Sequence, residues 1–288
     1  MSESQSRDAS AEACEAPLLP AEKKGQPQET PAVAAKPSRP TRFSLWRTLK
    51  AWFLLAVVAV VCLGLWHLWQ QARQVAQLRF QVEQLAAAVL RQDGVLVTAE
   101  PPEGHVTSVN FQPKNADGDL PRHVEANALR HLAAFYHLGA LNLADTDIGD
   151  GQLHYLSGLS TLNSLILGGT RVTDAGLVHL KDLKGIESLH LPSTRVSDKG
   201  LPDIALIRDV SILDLSGTRV TDQGLEHLLG MKKLRHLLLS DNEKITDEGL
   251  KQLEEMKGLG RLTIKNTKVT AEGVKRLQEA LPQVSVDR

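Results

Sequence analysis

LNSLILGGTRVTDAGLVHLKDL (residues 162–183), IESLHLPSTRVSDKGLPDIALI (186–207) and VSILDLSGTRVTDQGLEHLLGM (210–231) are three copies of one pattern. Aligned against itself with a period of 24, the chain places Leu141, Leu165, Leu189, Leu213, Leu237 and Leu262 in one column, with a single extra residue before the last. Two positions further on stand Leu143, Leu167, Leu191, Leu215, Leu239 and Ile264. Apolar residues spaced by two belong on a short strand that turns both into a core while their neighbours point out. A unit of this length cannot bury its apolar face alone, so the copies must stack, with the strands side by side and parallel.

The rest of each unit follows from the same columns. Val172, Val196, Val220, Ile245 and Val269 enter the core as the chain turns. Leu177, Leu201, Leu225, Leu250 and Val274, followed three residues on by Leu180, Ile204, Leu228, Leu253 and Leu277, give the inward face of a return helix. Thr173, Ser197, Thr221, Thr246 and Thr270 stand where a hydroxyl accepts an orphan N–H as a helix cap, and Asp174, Asp198, Asp222 and Asp247 complement the positive helix end. Gly176, Gly200, Gly224, Gly249 and Gly273 are small enough to let one coil's helix approach the next.

These columns resemble the leucine-rich-repeat family, with its Leu-x-x-Leu-x-Leu-x-x-Asn consensus, from about residue 106 to 286. The phrase VTDxGL is similar to a subtype found in membrane-anchored bacterial repeat proteins and in F-box repeat proteins, although no F-box segment is recognisable upstream. The resemblance implies an α/β leucine-rich-repeat solenoid, with parallel strands on a concave face and short helices on a convex one, and a ligand surface on the concave face. At the consensus Asn stand Thr146, Thr170, Thr194, Thr218 and Thr267, with Asn242 alone keeping the amide. A hydroxyl ladder is expected to bond turn backbone in adjacent coils as the amide would. We expect capping from 93 to 138, with HVTSVNF as a first strand and 123–138 as its helix, and repeats from 139 to 288, ending on a half strand at Val284 and Val286.

Upstream, residues 1–43 hold few large apolar side chains and are expected to form a disordered tail. Residues 51–69, AWFLLAVVAVVCLGLWHLW, carry no formal charge, and at ~1.5 Å per residue they reach across a bilayer core. Trp46, Trp52, Trp66 and Trp69 lie near the ends of the run, where indoles favour the headgroup level. We therefore expect a single-pass transmembrane helix over 44–70, acting as an uncleaved signal-anchor, since the leader is too long and the cleavage site too poor for a signal peptide. Lys36, Arg39, Arg42, Arg47 and Lys50 precede the run, whereas Arg73 and Arg79 follow it. That bias predicts a cytoplasmic N-terminus and periplasmic or extracellular repeats. Over 71–92, Val75, Leu78, Val82, Leu85 and Val89 recur at steps of three and four, a coiled-coil-like stalk suited to a parallel homodimer.

Composition narrows the function. Residues 92–288 hold 22 Lys and Arg against 27 Asp and Glu, so no basic face is expected and nucleic acid is excluded as a partner. Cys14 and Cys62 lie outside the repeats, which must be stable without disulfides, and no Asn-x-Ser/Thr acceptor occurs there. No P-loop, nucleophile elbow or dinucleotide fingerprint is present, so we expect no enzyme, no cofactor and no catalytic residue. Two acidic loops, at 115–119 and 145–151, resemble calcium loops, but the second is broken at its third ligand position by Gly149 and keeps the repeat register. The strand residues facing outward are the candidate binding set: Ile166, Ile212 and Leu238 as an apolar patch around His190, Asp214 and His236. Two histidines and an aspartate invite a zinc reading, but neighbouring strands rarely converge three ligands, so no metal is expected and a proton-sensitive contact is the better use of His190. The functional expectation is a membrane-tethered receptor or scaffold for a protein or peptide ligand, with a structural envelope spacer as the alternative.

Overall fold

The computed structural model describes residues 42–100, 104–111 and 123–288, so the loop at 115–119 and all but the last two residues of the tail expected over 1–43 fall outside it; Arg42 and Phe43 begin a helix. Met1–Leu63 and Gly64–Arg288 are two compact units. What is described of the first is the leading part of helix α1 (Arg42–Gln92), continuous over 51 residues. Its Trp52, Phe53, Leu54, Leu55, Val58 and Val61 are all exposed. Among the described residues, this is the helix long and apolar enough to cross a membrane.

The second unit is built on nine strands lying side by side in sequence order: β1 (Leu96–Glu100), β2 (His105–Asn110), β3 (Ala140–Asn142), β4 (Ser164–Ile166), β5 (Ser188–His190), β6 (Ile212–Asp214), β7 (His236–Leu238), β8 (Arg261–Thr263) and β9 (Ser285–Asp287). From β2 to β9 every pairing is parallel, and Val109, the six leucines of the first column and Val286 face one another in a single row. Those six leucines and the second column are buried, as are Val172, Val196, Val220, Ile245 and Val269, in one uninterrupted cluster. The chain returns through helical stretches of one to three turns, such as Asp174–Leu177, Asp247–Leu253 and Ala271–Ala280, so each coil is strand, turn and helix. The fold is the α/β repeat solenoid the spacing requires, preceded by a long apolar helix.

The capping threonines do more than close a helix. Thr173, Ser197, Thr221, Thr246 and Thr270 each accept an N–H from their own helix. Each also donates its hydroxyl to an aspartate one coil earlier, at 2.6–2.7 Å, to Asp150, Asp174, Asp198, Asp222 and Asp247 in turn. The other carboxylate oxygen accepts the backbone N–H of the same Thr or Ser at 2.7–2.8 Å. The aspartates expected only to complement a helix dipole are therefore clamps between coils, with charge-assisted bonds to both donors. The glycine column exists because of them: a Cβ at Gly176, Gly200, Gly224, Gly249 or Gly273 would stand 2.1–2.6 Å from the clamping carboxylate.

The threonine ladder differs from expectation. Thr146, Thr170, Thr194, Thr218 and Thr267 donate to the carbonyl three residues back in their own coil, and Thr218 alone of the five also meets a neighbouring coil, at Asn242 Oδ1, 3.2 Å away. Asn242 is the ladder residue that reaches backbone in the coil before it, donating to Leu215 O at 2.9 Å and accepting from Thr218 N at 2.9 Å. The hydroxyl is too short to reach backbone in an adjacent coil, whereas the amide has both the length and two donors. Asp145, Ser193, Asp241 and Asn266 hold the turn beside this ladder at φ 54–59°, where Gly169 and Gly217 stand in other coils. In the acidic loop at 145–151, Asp147 accepts Val124 N at 2.8 Å and Asp150 is a clamp, so its carboxylates serve the fold.

The solenoid's first end is closed by more than the expected strand. β1 turns back and pairs antiparallel with β2, and the last turns of α1 pack against both. Ala86, Ala87 and Leu90 are buried there, Phe80 meets the His105 ring edge-on at 5.5 Å, and the Arg79 guanidinium lies 5.0 Å over the Tyr136 ring. Glu83 is 1% exposed, and its carboxylate accepts Val106 N at 2.5 Å while lying 2.8 Å from His105 Nδ1. Val75, Leu78, Val82, Leu85 and Val89 remain exposed.

Candidate ligand-binding face

Each repeat strand is three residues long because one inward leucine suffices to anchor it, and the residues on either side point out of the sheet. The register brings these outward residues into two rows. One runs Ala140, Ser164, Ser188, Ile212, His236 and Arg261; the other runs Asn142, Ile166, His190, Asp214, Leu238 and Thr263. All six residues singled out from the sequence, Ile166, His190, Ile212, Asp214, His236 and Leu238, are half-buried on this face.

The polar centre is a short chain of contacts. Ser188 Oγ lies 2.8 Å from His190 Nε2, His190 Nδ1 is 3.7 Å from Asp214 Oδ2, and Asp214 Oδ1 accepts Ser216 N at 2.9 Å. The middle separation is longer than a hydrogen bond. Burial pushes the Asp214 carboxyl up, but His190 and the Ser216 hydroxyl and amide together outweigh it and leave it below the usual carboxylate range. A carboxyl depressed by folding contributes stability above its unfolded value, and the contribution disappears as pH falls through the lower, folded one. Asp214 thus stays ionised at neutral pH and holds His190 in place. His236 belongs to the other row, beside Ile212 and Arg261, so the expected three-residue polar cluster is a pair with a separate histidine.

Ser188, His190 and Asp214 stand in the order nucleophile, base and acid, a relation overlooked in the sequence because the row spacing puts Ser188 and His190 on one strand. Hydrolysis also needs paired donors for a developing oxyanion. The Glu187 and Ser188 amides on this strand are both engaged by Asn163 O, at 2.9 and 3.0 Å. Those two amides are therefore not free for that role. Among the described residues, no three histidine, cysteine or acidic side chains converge to hold a metal. Arg171, Arg195 and Arg219 do line up, exposed, at successive turns beyond the sheet, a local basic row hidden by the acidic total.

Residues 208–229 and 230–253 match the family model described as Leucine Rich repeat. Those two coils are leucine-rich repeats. The other coils share the register and buried columns of these two leucine-rich repeats. No curated protein sequence matches the chain. Solved structures similar to it include an internalin (inlF) from Listeria monocytogenes, 20% identical, with a TM-score of 0.46 over 55% of this chain and 43% of that one. They also include an internalin C2 (inlC2) from the same species, 17% identical with a TM-score of 0.48 over 70% and 92%, and a Leptospira interrogans LRR protein, 20% identical with a TM-score of 0.43 over 55% and 45%. This chain spans less than half the length of the inlF and Leptospira proteins. Leucine-rich repeats commonly serve as protein-binding modules.

Proposed function

We propose that this protein is a membrane-tethered receptor or scaffold that captures a protein or peptide ligand on the sheet face of its leucine-rich repeats. The observation that carries the reading is the apolar patch of Ile166, Ile212 and Leu238, half-buried around the His190–Asp214 pair on a face whose reverse side is wholly committed to the core. Apolar residues around a desolvated polar pair are the composition of an interface centre. Helix α1 supplies the tether as a single span, with the N-terminus cytoplasmic and the repeats periplasmic or extracellular by the flanking charge.

The test starts from crosslinking in intact cells followed by mass spectrometry to name the ligand. Replacing His190, Asp214 and Leu238 by arginine should then weaken the purified interaction roughly a hundredfold or more, the scale of losing central contacts. The melting temperature should fall only by the modest contribution of the Asp214 contacts to His190 and Ser216, and the fold should persist, because these side chains face out of the sheet and not into the core. Undiminished affinity would discard this face.

The alternative, an envelope spacer, is favoured by the exposed stalk residues. Deleting 71–91 does not separate the two readings, since Glu83, Ala86, Ala87 and Leu90 of that segment close the repeat core. Point changes at Leu78 and Leu85, both exposed, do so. Only the spacer reading demands loss of function from them while the ligand still binds.

A further inference from the structure

Helix α1 uses one side of its final turns to close the repeat core and leaves the other side bare. Glu83, Ala86, Ala87 and Leu90 face the cap, with Phe80 and Gln84 half-buried beside them. Val75, Leu78, Val82, Leu85 and Val89 are 39–69% exposed. At ~100° per residue, the exposed set and the six cap-facing residues are centred roughly 140° apart around the helix. The exposed set is apolar yet belongs to neither the core nor the cap.

We propose that this bare stripe is the contact between two parallel copies of the chain, which together present two ligand faces. Docking onto the cap fixes the stripe's direction, so it is available to a partner without disturbing the repeats. Val75, Val82 and Val89 occupy the a positions and Leu78 and Leu85 the d positions of a heptad, the combination that selects two parallel strands. The flanking positions bring no like charges together: Gln74, Gln81 and Ala88 would meet Arg79, Ala86 and Asp93 of the partner helix. Arg79 is moreover drawn to Tyr136 on its own cap.

Lipid does not cover the stripe. It begins six residues after Trp69 and ends twenty after it, ~9 to ~30 Å beyond the uncharged run along a helix. Most of that length lies outside the headgroup layer, which adds only ~5–7 Å on each side of the hydrocarbon. Five side chains from each copy, at roughly 60–120 Å² apiece, would bury about 600–1,200 Å², at or below the lower limit of stable interfaces. The pairing therefore depends on co-insertion in one membrane, which raises the effective concentration. Two faces held together would bind a repetitive or dimeric ligand with avidity, a consequence that rests on the sheet-face reading.

The experiment uses the full chain in native membranes with Cys14→Ser and Cys62→Ser, adding single cysteines by Val82→Cys, Leu85→Cys or Gln77→Cys, all at exposed positions. Mild oxidation should convert the first two largely to disulfide-linked dimers and leave the third, off the stripe, monomeric. An unchanged melting temperature shows that each variant is folded. Absence of dimer at 82 and 85, equal dimer at 77, or adducts to another protein would overturn the proposal. No ligand is needed for this readout, so its failure is distinct from failure of the sheet-face reading.

Discussion

Replacing Glu83 by alanine should destabilise the repeat unit by about 2–4 kcal/mol, combining an orphaned buried donor with lost packing. The carboxylate has almost no contact with water and accepts the Val106 amide at 2.5 Å, the bond that joins α1 to the first parallel strand of the solenoid. Alanine leaves that amide buried without an acceptor and withdraws the partner of His105 Nδ1. For a unit of this size, each kcal/mol lowers the melting temperature by about 2–4 °C, so the shift should be plain in a thermal melt. Because repeat arrays couple mainly to their neighbours, amide exchange should accelerate first in β1 and β2 and least in β8. Glu83→Gln keeps an acceptor for Val106 and should cost markedly less. A change below about 0.5 kcal/mol for the alanine variant, the scale of an ordinary surface substitution, would show that the cap does not depend on this bond.

Gly224→Ala offers a test by sign. In an exposed helix, this change normally stabilises by about 0.5–1 kcal/mol. Here the new Cβ would lie 2.3 Å from Asp198 Oδ1 and 2.8 Å from Leu201 Cδ1. To make room, the Asp198 carboxylate must leave Thr221, whose amide and hydroxyl it holds at 2.8 and 2.7 Å. We expect a loss of about 2–4 kcal/mol in denaturant unfolding, from weakened charge-assisted bonds and local overpacking. In an Asp198→Ala background, the same substitution should cost much less, since the obstructing group is gone, and the double-mutant cycle should be strongly non-additive. A stabilising Gly224→Ala would mean that the clamp is not rigid.

The leucine columns were legible because burial repeats with the chain's own period, and a 24-residue step is unambiguous once the copies are aligned. The glycine column was legible in outline for the same reason: only a close neighbour explains a small residue at one place in every coil. Periodicity distinguishes inside from outside, but it does not say which neighbour a polar group will choose. Asp198 could have served its own helix end, yet it clamps Thr221 in the next coil. The threonines at the consensus Asn position bond inward, while Asn242 bonds across. Glu83 was the hardest to place, because the heptad of the stalk assigns it to solvent and the burying partners, His105 and Val106, lie more than twenty residues away in β2. The outward rows were readable as rows. The pairing of His190 with Asp214, the displacement of His236 and the approach of Ser188 depend on side-chain directions that spacing does not carry.

Photo-crosslinking in intact cells tests the central claim most directly. A photoreactive amino acid placed singly at Ile166 or Leu238 on the sheet face, or at Lys251 on the exposed side of the helix Asp247–Leu253, reports what each surface touches. The account predicts one shared adduct from 166 and 238 and none of it from 251. The same adduct from all three positions, or from 251 alone, would contradict it.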